Sequence, residues 1–328
     1  MSQYKGIVGQ KVVSYTTDPD NPIQGQVWYN ATVNTLKLEG QTTSGSWSTG
    51  GNLNLGREQN SGISVGTQTA SLVFGGDNPT PGGTVNTETY NGTSWTEVNN
   101  MNTSRRAGGG YGTQSSAMSG ASFAGNTGET NKTETWDGTS WTEIANLNTA
   151  RAYGAGAGTA NTSGILFAGN DGSNPISITE SYNGSAWSET VDLNTARNQL
   201  SSTGTGTSAL AIGGYTTTNV GNTEAYNGSS WTEVADLNTA RRATNAGGTD
   251  ITSAVAYGGY TTTYLAVTET WNGTSWSEDG DLSTARSNGA GGGTAAAALY
   301  SGGNPGKVAT TEEWTGAGSP LTQTIDTD

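Results

Sequence analysis

The stretch Thr87-Glu-Thr-Tyr-Asn-Gly-Thr-Ser-Trp-Thr-Glu-Val98 decides the fold, because nearly the same residues return at regular intervals along the chain. A repeat of about 45 residues, made of four short runs separated by turn residues, is typical of the four-stranded blades of a β-propeller. No helical pattern occurs between the copies. The repeat therefore predicts an all-β fold. Further copies begin at Thr133, Thr179, Thr223, Thr268 and, in a shortened form, Thr311.

Turn residues within each copy indicate how its strands pair. Asn-Gly or Asp-Gly follows the first aromatic residue, and these dipeptides favour the positive φ angles of a type I′ turn. The third and fourth strands of each unit are therefore predicted to form a tight hairpin. The first strand is almost entirely small, as in Ala107–Thr113, which suits a crowded position nearest the axis of a propeller. The dipeptides are Asn91-Gly92, Asp137-Gly138, Asn183-Gly184, Asn227-Gly228 and Asn272-Gly273.

One Arg and one Glu also recur in every unit. The Glu lies two residues before the first aromatic residue, so both side chains point to the same face of a strand. Sheets of a propeller pack face to face, and a buried carboxylate needs a partner. We therefore predict six structural ion pairs, within or between blades. The arginines are Arg57, Arg105, Arg151, Arg197, Arg241 and Arg286, and the glutamates are Glu88, Glu134, Glu180, Glu224, Glu269 and Glu312.

The first and last units are incomplete in complementary ways. The unit that begins at Arg286 reaches Trp314 but lacks a fourth strand with its Trp, whereas the strand around Trp47 has no preceding three strands. Joining them predicts a six-bladed propeller closed by this N-terminal strand. Seven blades are the alternative, and residues 25–53 would then have to supply most of another blade, although they lack its Arg and its Gly pair.

The N-terminal residues carry no repeat. Two short alternating runs, Gly25–Asn30 and Thr35–Leu38, predict a β-hairpin. We therefore divide the chain into an N-terminal segment, residues 1–44, and a propeller, residues 45–328.

Composition excludes several kinds of site. The 328 residues include no Cys and no His, which excludes disulfides, His-based metal sites and Ser-His or Cys-His nucleophile pairs. The net charge of −14 disfavours nucleic acid and anionic membranes as partners. No run is long enough to span a bilayer. We expect no cofactor, no metal and no catalytic residue.

The loops between the second and third strands of each unit vary in length and content, whereas each Trp lies ten residues before the next Arg. Binding residues are commonly found on loops of a rigid scaffold. Tyr beside Asn, Asp and Thr would suit a carbohydrate, because rings stack on sugar faces and polar groups bind hydroxyls. The alternative is that these loops are only solvated. The candidate ligand-binding residues are Asp77, Asn126, Asn170, Asp171, Tyr215, Tyr260, Tyr264 and Asn304.

A pair of small residues, then Tyr or Trp, then a second Trp resembles the kelch repeat over residues 45–316. The sequence Glu-x-Tyr-Asn-Gly-Thr-Ser-Trp is similar to kelch-like proteins encoded by tailed bacteriophages. The segment Gly25–Leu38 resembles a short element of phage tail-fibre and other virion proteins. These resemblances imply a virion surface protein, such as a tail fibre, spike or head fibre.

The resemblance implies that residues 1–44 bind other virion proteins and that the propeller recognises the host surface, through a glycan if the loop residues bind carbohydrate. Because residues 1–10 lack the apolar run of a signal peptide, we expect assembly in the host cytoplasm. A homo-oligomer is compatible with a fibre. The alternatives are a structural decoration protein without a receptor and a glycan-cleaving enzyme. Some kelch proteins are copper oxidases, but their His and Cys-linked Tyr have no counterpart in this sequence.

Overall fold

The computed structural model describes residues 12–19, 26–42, 44–59, 61–62, 66–78, 82–318 and 320–325. Their regular structure is entirely β-strand. The strands belong to two compact units, one formed by residues 46–315 and one by the chain on either side of them. No helix that could cross a membrane occurs in the part of the chain that the structure describes.

Thirty strands are found in the described residues. The first fifteen are β1 (Val13–Tyr15), β2 (Val27–Asn30), β3 (Thr35–Gln41), β4 (Ser46–Thr49), β5 (Ser61–Gly62), β6 (Ser71–Phe74), β7 (Thr87–Tyr90), β8 (Trp95–Val98), β9 (Arg105–Arg106), β10 (Gly109–Thr113), β11 (Ser116–Gly120), β12 (Phe123–Ala124), β13 (Glu134–Trp136), β14 (Trp141–Glu143) and β15 (Ala155–Ala160). The others are β16 (Ser163–Phe167), β17 (Thr179–Tyr182), β18 (Trp187–Glu189), β19 (Ser201–Thr205), β20 (Ser208–Tyr215), β21 (Asn219–Tyr226), β22 (Trp231–Val234), β23 (Asn245–Gly248), β24 (Ala254–Tyr257), β25 (Thr268–Trp271), β26 (Trp276–Asp279), β27 (Ala290–Gly293), β28 (Ala297–Ser301), β29 (Thr311–Thr315) and β30 (Pro320–Ile325).

The smaller unit is a four-stranded sheet in the order β1-β2-β3-β30. Strands β2 and β3 form the predicted hairpin, in which Asn30 pairs with Thr35 across the turn. Trp28 on β2 is buried, and its Nε1 donates a hydrogen bond to Asp18 Oδ1 at 3.0 Å. Residues 1–11, 20–25 and 43 of the predicted N-terminal segment lie outside the described residues.

The C-terminal boundary differs from the predicted propeller region, residues 45–328. Strand β30 pairs antiparallel with β3, so residues 316–325 belong to the smaller unit. The repeat ends at β29, and no strand was predicted beyond it. An unpaired edge of β3 would expose a row of backbone donors and acceptors, and β30 supplies their partners.

The larger unit contains six four-stranded antiparallel sheets among the described residues. In five of them the strands follow one another along the chain, apart from the short pair β9 and β12. The sixth has the order β27-β28-β29-β4, in which Trp314 pairs with Trp47. The two incomplete units of the sequence are thus joined in one sheet, as predicted. The five other sheets are β5-β6-β7-β8, β10-β11-β13-β14, β15-β16-β17-β18, β19-β20-β21-β22 and β23-β24-β25-β26.

The first strands of successive sheets lie side by side, in the order β5, β10, β15, β19, β23 and β27, and β27 also lies beside β5. Their approach requires small residues. A Cβ atom on Gly156 would lie 3.1 Å from Tyr111 Cδ1 and 3.2 Å from the carbonyl oxygen of Gly110, both in the neighbouring sheet. Both distances are too short for a relaxed contact, so the small first strands reflect the packing of neighbouring sheets.

Aromatic residues fill the space between the outer strands. The rings of Tyr90 and Trp95 lie 4.9 Å apart across their hairpin. The indole of the fourth strand also reaches the preceding sheet, where Trp141 Nε1 donates to Thr87 Oγ1 at 2.9 Å. Burial of these rings, and the hydrogen bonds that five of the six indoles donate, stabilise the contacts between sheets, whereas Trp231 Nε1 has no partner among the described residues. The same bond joins Trp95 to Thr311, Trp187 to Thr133, Trp276 to Thr223 and Trp47 to Thr268.

The hairpin turns are tight, but the predicted type I′ conformation is wrong. Only the Gly of each dipeptide has a positive φ, as Gly92 does at +89°. A type I′ turn needs positive φ at both central residues, whereas Gly at the first central position matches type II′. Asn91 Oδ1 instead accepts hydrogen bonds from the backbone N–H groups of Thr93 and Ser94, both at 2.9 Å. The Asn therefore stabilises the turn through its side chain.

Candidate functional site

Each repeat Arg forms a buried ion pair with the Glu of its own repeat unit. Arg151 Nη1 lies 2.6 Å from Glu180 Oε1, and both side chains are fully buried. Burial lowers the pKa of the Arg151 guanidinium, and the hydrogen bond and charge of Glu180 oppose that shift. These groups are structural and do not reach a surface. The other pairs are Arg57–Glu88, Arg105–Glu134, Arg197–Glu224, Arg241–Glu269 and Arg286–Glu312.

An Asn that the sequence analysis did not identify completes each of these carboxylate sites except the last. The backbone N–H and the side-chain Nδ2 of Asn148 both donate to Glu180 Oε2 at 2.7 Å. Nδ2 also donates to the carbonyl oxygen of Trp187. The constant ten-residue spacing from each Trp to the next Arg could have indicated this Asn. Its hydrogen bonds hold the segment between the Trp and the Arg in one conformation. Asn54, Asn102, Asn194 and Asn238 do the same, and the backbone N–H of Ser283 donates to Glu312.

Two residues after each Arg, the chain adopts the left-handed backbone conformation. The φ angle is +57° at Tyr153 and between +50° and +57° at all six positions. The N–H of Tyr153 donates to the carbonyl oxygen of Ala107 at 2.7 Å, and each of the others donates likewise to the preceding sheet. The six bonds return to their starting residue, because Gln59 donates to Asn288. We call these residues the hydrogen-bonded ring: Gln59, Ala107, Tyr153, Gln199, Ala243 and Asn288.

The variable loops lie next to this ring. The residue between each Arg and the ring pairs with a residue that follows the Gly pair. Five of the eight predicted loop residues are placed in this way. The bridges are Glu58 with Asp77, Ala152 with Asn170, Asn198 with Tyr215, Arg242 with Tyr260 and Ser287 with Asn304, and the second sheet pairs Arg106 with Phe123 instead.

Three of the predicted residues do not pair with the residues between each Arg and the ring. Tyr264 lies against Tyr260, with ring centroids 5.4 Å apart and the rings nearly perpendicular. Asn126 is exposed. Asp171 is also exposed, and its Oδ1 accepts backbone hydrogen bonds from Ser173 and Asn174 at 2.9 and 2.8 Å. The Asp171 carboxylate thus stabilises its own turn, and nothing brings it or Asn126 to the ring.

Two concave regions adjoin the ring. A cavity of about 120 Å³ is lined by ring residues and by small first-strand residues such as Gly156 and Ser202. A second region of about 220 Å³, which we call the tyrosine cleft, lies beside the ring. The tyrosine cleft is lined by Gln199, Arg242, Ala243, Tyr260, Tyr264, Ser287 and Asn288.

Arg242 is fixed at the tyrosine cleft by two of the predicted tyrosines. Its Cζ lies 4.5 Å from the ring centroid of Tyr215 and 5.2 Å from that of Tyr260. Both distances are within the range of a cation–π interaction. Arg242 was not among the predicted residues, although the sequence marks it: only Arg106 and Arg242 fall outside the six repeat positions, and each directly follows a repeat Arg.

Asp77 and Asn304 are bonded within the protein. Lys307 Nζ lies 3.0 Å from Asp77 Oδ2, and Asn304 Nδ2 donates to Glu58 Oε2. Burial raises the pKa of Glu58, the charge of Lys307 lowers it, and the charge of Asp77 raises it further. These groups form an internal polar cluster beside the ring, so two predicted ligand-binding residues already have partners.

The raised pKa of Glu58 gives a prediction on stability. A carboxyl group whose pKa is higher in the folded state than its ordinary value of 4.5 favours folding below pH 4.5 and loses that contribution as the pH rises through the folded pKa. The neutral variant Glu58→Gln does not lose it. We therefore expect the free energy of unfolding of Glu58→Gln, relative to the unmodified chain, to be higher at pH 7 than at pH 4, as measured by urea unfolding.

Asp171→Asn is the control with the opposite sign. Backbone hydrogen bonds from Asn174 and Ser173 lower the pKa of Asp171, so its contribution is present above the ordinary value of 3.8 and is lost as the pH falls. The stability of Asp171→Asn relative to the unmodified chain should therefore be lower at pH 7 than at a pH well below 3.8, and it should differ little between pH 7 and pH 4. A pH-independent difference for Glu58→Gln would contradict the assigned effect of burial.

The lining of the tyrosine cleft combines aromatic and polar side chains. The cleft presents two phenol rings, a guanidinium, two side-chain amides and a hydroxyl, and its lining includes no carboxylate. Within the described residues, no group of three or more Asp and Glu side chains is placed to hold a metal ion. No protein-family model matches this chain, and a search of curated proteins also finds no match.

Proposed function

We propose that the larger unit is a six-bladed, kelch-like β-propeller closed by β4. Three observations on different parts of the sheets support closure. Strand β27 lies beside β5, Gln59 of the ring donates to Asn288, and Trp95 Nε1 donates to Thr311 Oγ1 at 3.0 Å. Each contact joins the first sheet of the unit to the last. A seventh blade would have to separate them.

We propose further that the protein is a phage virion surface protein whose propeller binds a host-surface glycan. The binding part of this proposal is based on the tyrosine cleft. Tyr260 and Tyr264 offer ring surfaces, and the amides of Gln199 and Asn288 lie at the same cleft. Aromatic walls with a few placed polar groups are typical of small-ligand sites, and rings with amides and hydroxyls match the faces and hydroxyls of a sugar.

The virion part of the proposal depends on sequence resemblance. The repeats resemble phage kelch-like proteins, and residues 25–38 resemble an element of virion proteins. In this proposal, residues 1–44 attach to other virion proteins and the loops beside the ring face outward. Assembly takes place in the host cytoplasm.

Tyr260→Ala and Tyr264→Ala test the glycan site. We expect the purified protein to bind polysaccharides on an array of bacterial surface glycans, and we expect each variant to lower the affinity about tenfold, because a stacking surface is lost. The matched control is Phe123→Ala, since Phe123 forms a similar perpendicular pair with Tyr153, at 5.3 Å, outside the cleft lining. That control should bind as the unmodified protein does.

Other outcomes would favour the alternatives. A folded protein that binds no polysaccharide but is found on intact virions would support a structural decoration protein. Release of reducing ends from a bound polysaccharide would support a glycan-cleaving enzyme. Equal loss of binding in the Phe123→Ala control would place the ligand elsewhere on the loops.

A further inference from the structure

Arg242 differs from the seven other arginines of the chain in its partners. The six repeat arginines each pair with a buried Glu. Arg106 Nη1 donates to Gln59 Oε1 at 3.3 Å. Within the described residues, the Arg242 guanidinium contacts the rings of Tyr215 and Tyr260 and has neither a carboxylate partner nor a hydrogen-bond acceptor.

This cation is held in position. Its own backbone pairs with that of Tyr260, its side chain is half-buried, and rings lie on its guanidinium at 4.5 and 5.2 Å. A partly buried guanidinium without an acceptor is unfavourable, yet the chain carries a net charge of −14 and 27 acidic residues. A fixed guanidinium that none of the described carboxylates neutralises is ready to bind an anion from outside.

We propose that Arg242 binds the carboxylate of an acidic sugar, so that the glycan of the proposed function is a uronate-containing polysaccharide. This inference rests on that proposed function. The planar guanidinium donates two parallel hydrogen bonds to a carboxylate. Beside it, Tyr260 and Tyr264 offer surfaces for the sugar ring, and Gln199 and Asn288 offer donors and acceptors for its hydroxyls.

The size and charge of the tyrosine cleft agree with this ligand. Its volume of about 220 Å³ is below the roughly 300–1,000 Å³ of common small-molecule pockets, which suits a single sugar residue. Arg242 is the only charged residue in its lining. A neutral sugar offers this guanidinium only uncharged hydroxyl and ring oxygens, whereas a uronate supplies a carboxylate that matches its charge and its paired donors.

The test compares acidic oligosaccharides with their neutral counterparts. Oligogalacturonate and oligoglucuronate are used as probes, together with the same oligosaccharides after reduction of their carboxyl groups to hydroxymethyl groups, and binding is measured by calorimetry at low and high salt. We expect one acidic probe to bind and its reduced form to bind about tenfold to hundredfold more weakly, because a hydrogen-bonded charge is lost. Added salt should weaken only the acidic interaction.

Arg242→Gln should lower the affinity for the acidic probe by the same factor and leave the affinity for its reduced form unchanged. Arg242→Lys keeps the charge but not the paired donors, so its affinity should be intermediate. Arg106→Gln is the matched control, because Arg106 occupies the same repeat position but already has Gln59 as its acceptor. The unfolding midpoint of each variant checks the fold.

Four results would overturn the inference. Equal binding of acidic and reduced probes, or no effect of Arg242→Gln, would refute carboxylate recognition while leaving a neutral glycan as the ligand of the proposed function. Binding of sugar phosphates but not uronates would assign Arg242 to phosphate. If no acidic probe binds but the protein still binds polysaccharides on the array, the inference of an acidic sugar is refuted and the proposed glycan binding stands.

Discussion

Glu180→Gln should lower the free energy of unfolding by about 3–5 kcal/mol, because it breaks a buried ion pair and leaves the Arg151 charge without a counter-charge. Arg151 and Glu180 are both fully buried, 2.6 Å apart. The second carboxylate oxygen accepts from the backbone and side chain of Asn148. An amide can therefore keep an acceptor toward Arg151 or toward Asn148, but not toward both. Urea unfolding followed by Trp fluorescence measures the loss.

The control is an exposed ion pair in which a Glu again faces a cationic side chain. Lys132 and Glu143 lie 3.0 Å apart, with side chains 46% and 41% exposed. Solvent screens such pairs, so Glu143→Gln should cost less than about 1 kcal/mol. Similar losses in the two variants would show that Glu180 does not act through a buried charge.

A hydrophobic double variant sharpens the interpretation. Many buried ion pairs can be replaced by apolar residues at little cost. Here Arg151→Met with Glu180→Leu should not restore stability, since the N–H groups of Asn148 and the carbonyl oxygen of Leu166, which accepts from Arg151 Nη2 at 3.0 Å, would lose their partners. The ion pair therefore joins three backbone segments of the sheet, and neighbouring bonds depend on it.

The repeat predicted most of the fold because its strongest signals are local. Glu88 and Tyr90 are two residues apart and therefore share one face of a strand. Asn91-Gly92 marks the turn, and the six repeat arginines match six glutamates in number. A buried carboxylate needs a cationic partner, and each repeat supplies one Arg. The ion pairs could therefore be predicted from the residue types alone. The pairing of Trp47 with Trp314 followed from counting incomplete units.

The features that the sequence did not predict depend on backbone geometry. The hydrogen-bonded ring is formed by residues as different as Gln59, Tyr153 and Ala243, because only their φ angles and backbone groups matter. Four residue types occupy these six left-handed positions, so no residue pattern marks them in the sequence. Strand β30 was missed since it carries no copy of the repeat. The turn type was wrong because Asn91 was expected to adopt a positive φ angle. It stabilises the turn instead by accepting backbone hydrogen bonds with its side chain.

The candidate site was predicted only in part, because loop position reveals the aromatic residues but not the partners of the charged ones. Tyr215, Tyr260 and Tyr264 stood out as aromatic residues in variable loops, and the structure places them together. Arg242 was masked by its neighbour Arg241, whose role in an ion pair explained the Arg-Arg sequence. Asp77 was selected by loop position alone, which does not reveal that Lys307 already neutralises it.

The proposed closure of the ring predicts a large gain from one engineered disulfide. Ser48 on β4 pairs with Glu313 on β29, and the two residues are 265 positions apart in the chain. Cα atoms of antiparallel partners are about 4.5–5.5 Å apart, within reach of a disulfide. Because the chain has no Cys, Ser48→Cys with Glu313→Cys forms a defined pair. In the chain-entropy model, a loop of this length should stabilise the oxidised form by about 5 kcal/mol relative to the reduced form.

The matched control separates ring closure from the bond itself. Thr89 and Thr96 occupy the same register in a complete hairpin, only 7 positions apart, so Thr89→Cys with Thr96→Cys should gain about 2–3 kcal/mol. Comparing the oxidised and reduced forms of each variant cancels the loss of the Tyr90 hydrogen bond to Glu313. If Thr89 and Thr96 cross-link readily while Ser48 and Glu313 form only intermolecular disulfides, β4 does not complete the last sheet in solution. A gain larger than that of the control would instead mean that the two ends of the repeat region remain joined until the whole unit unfolds.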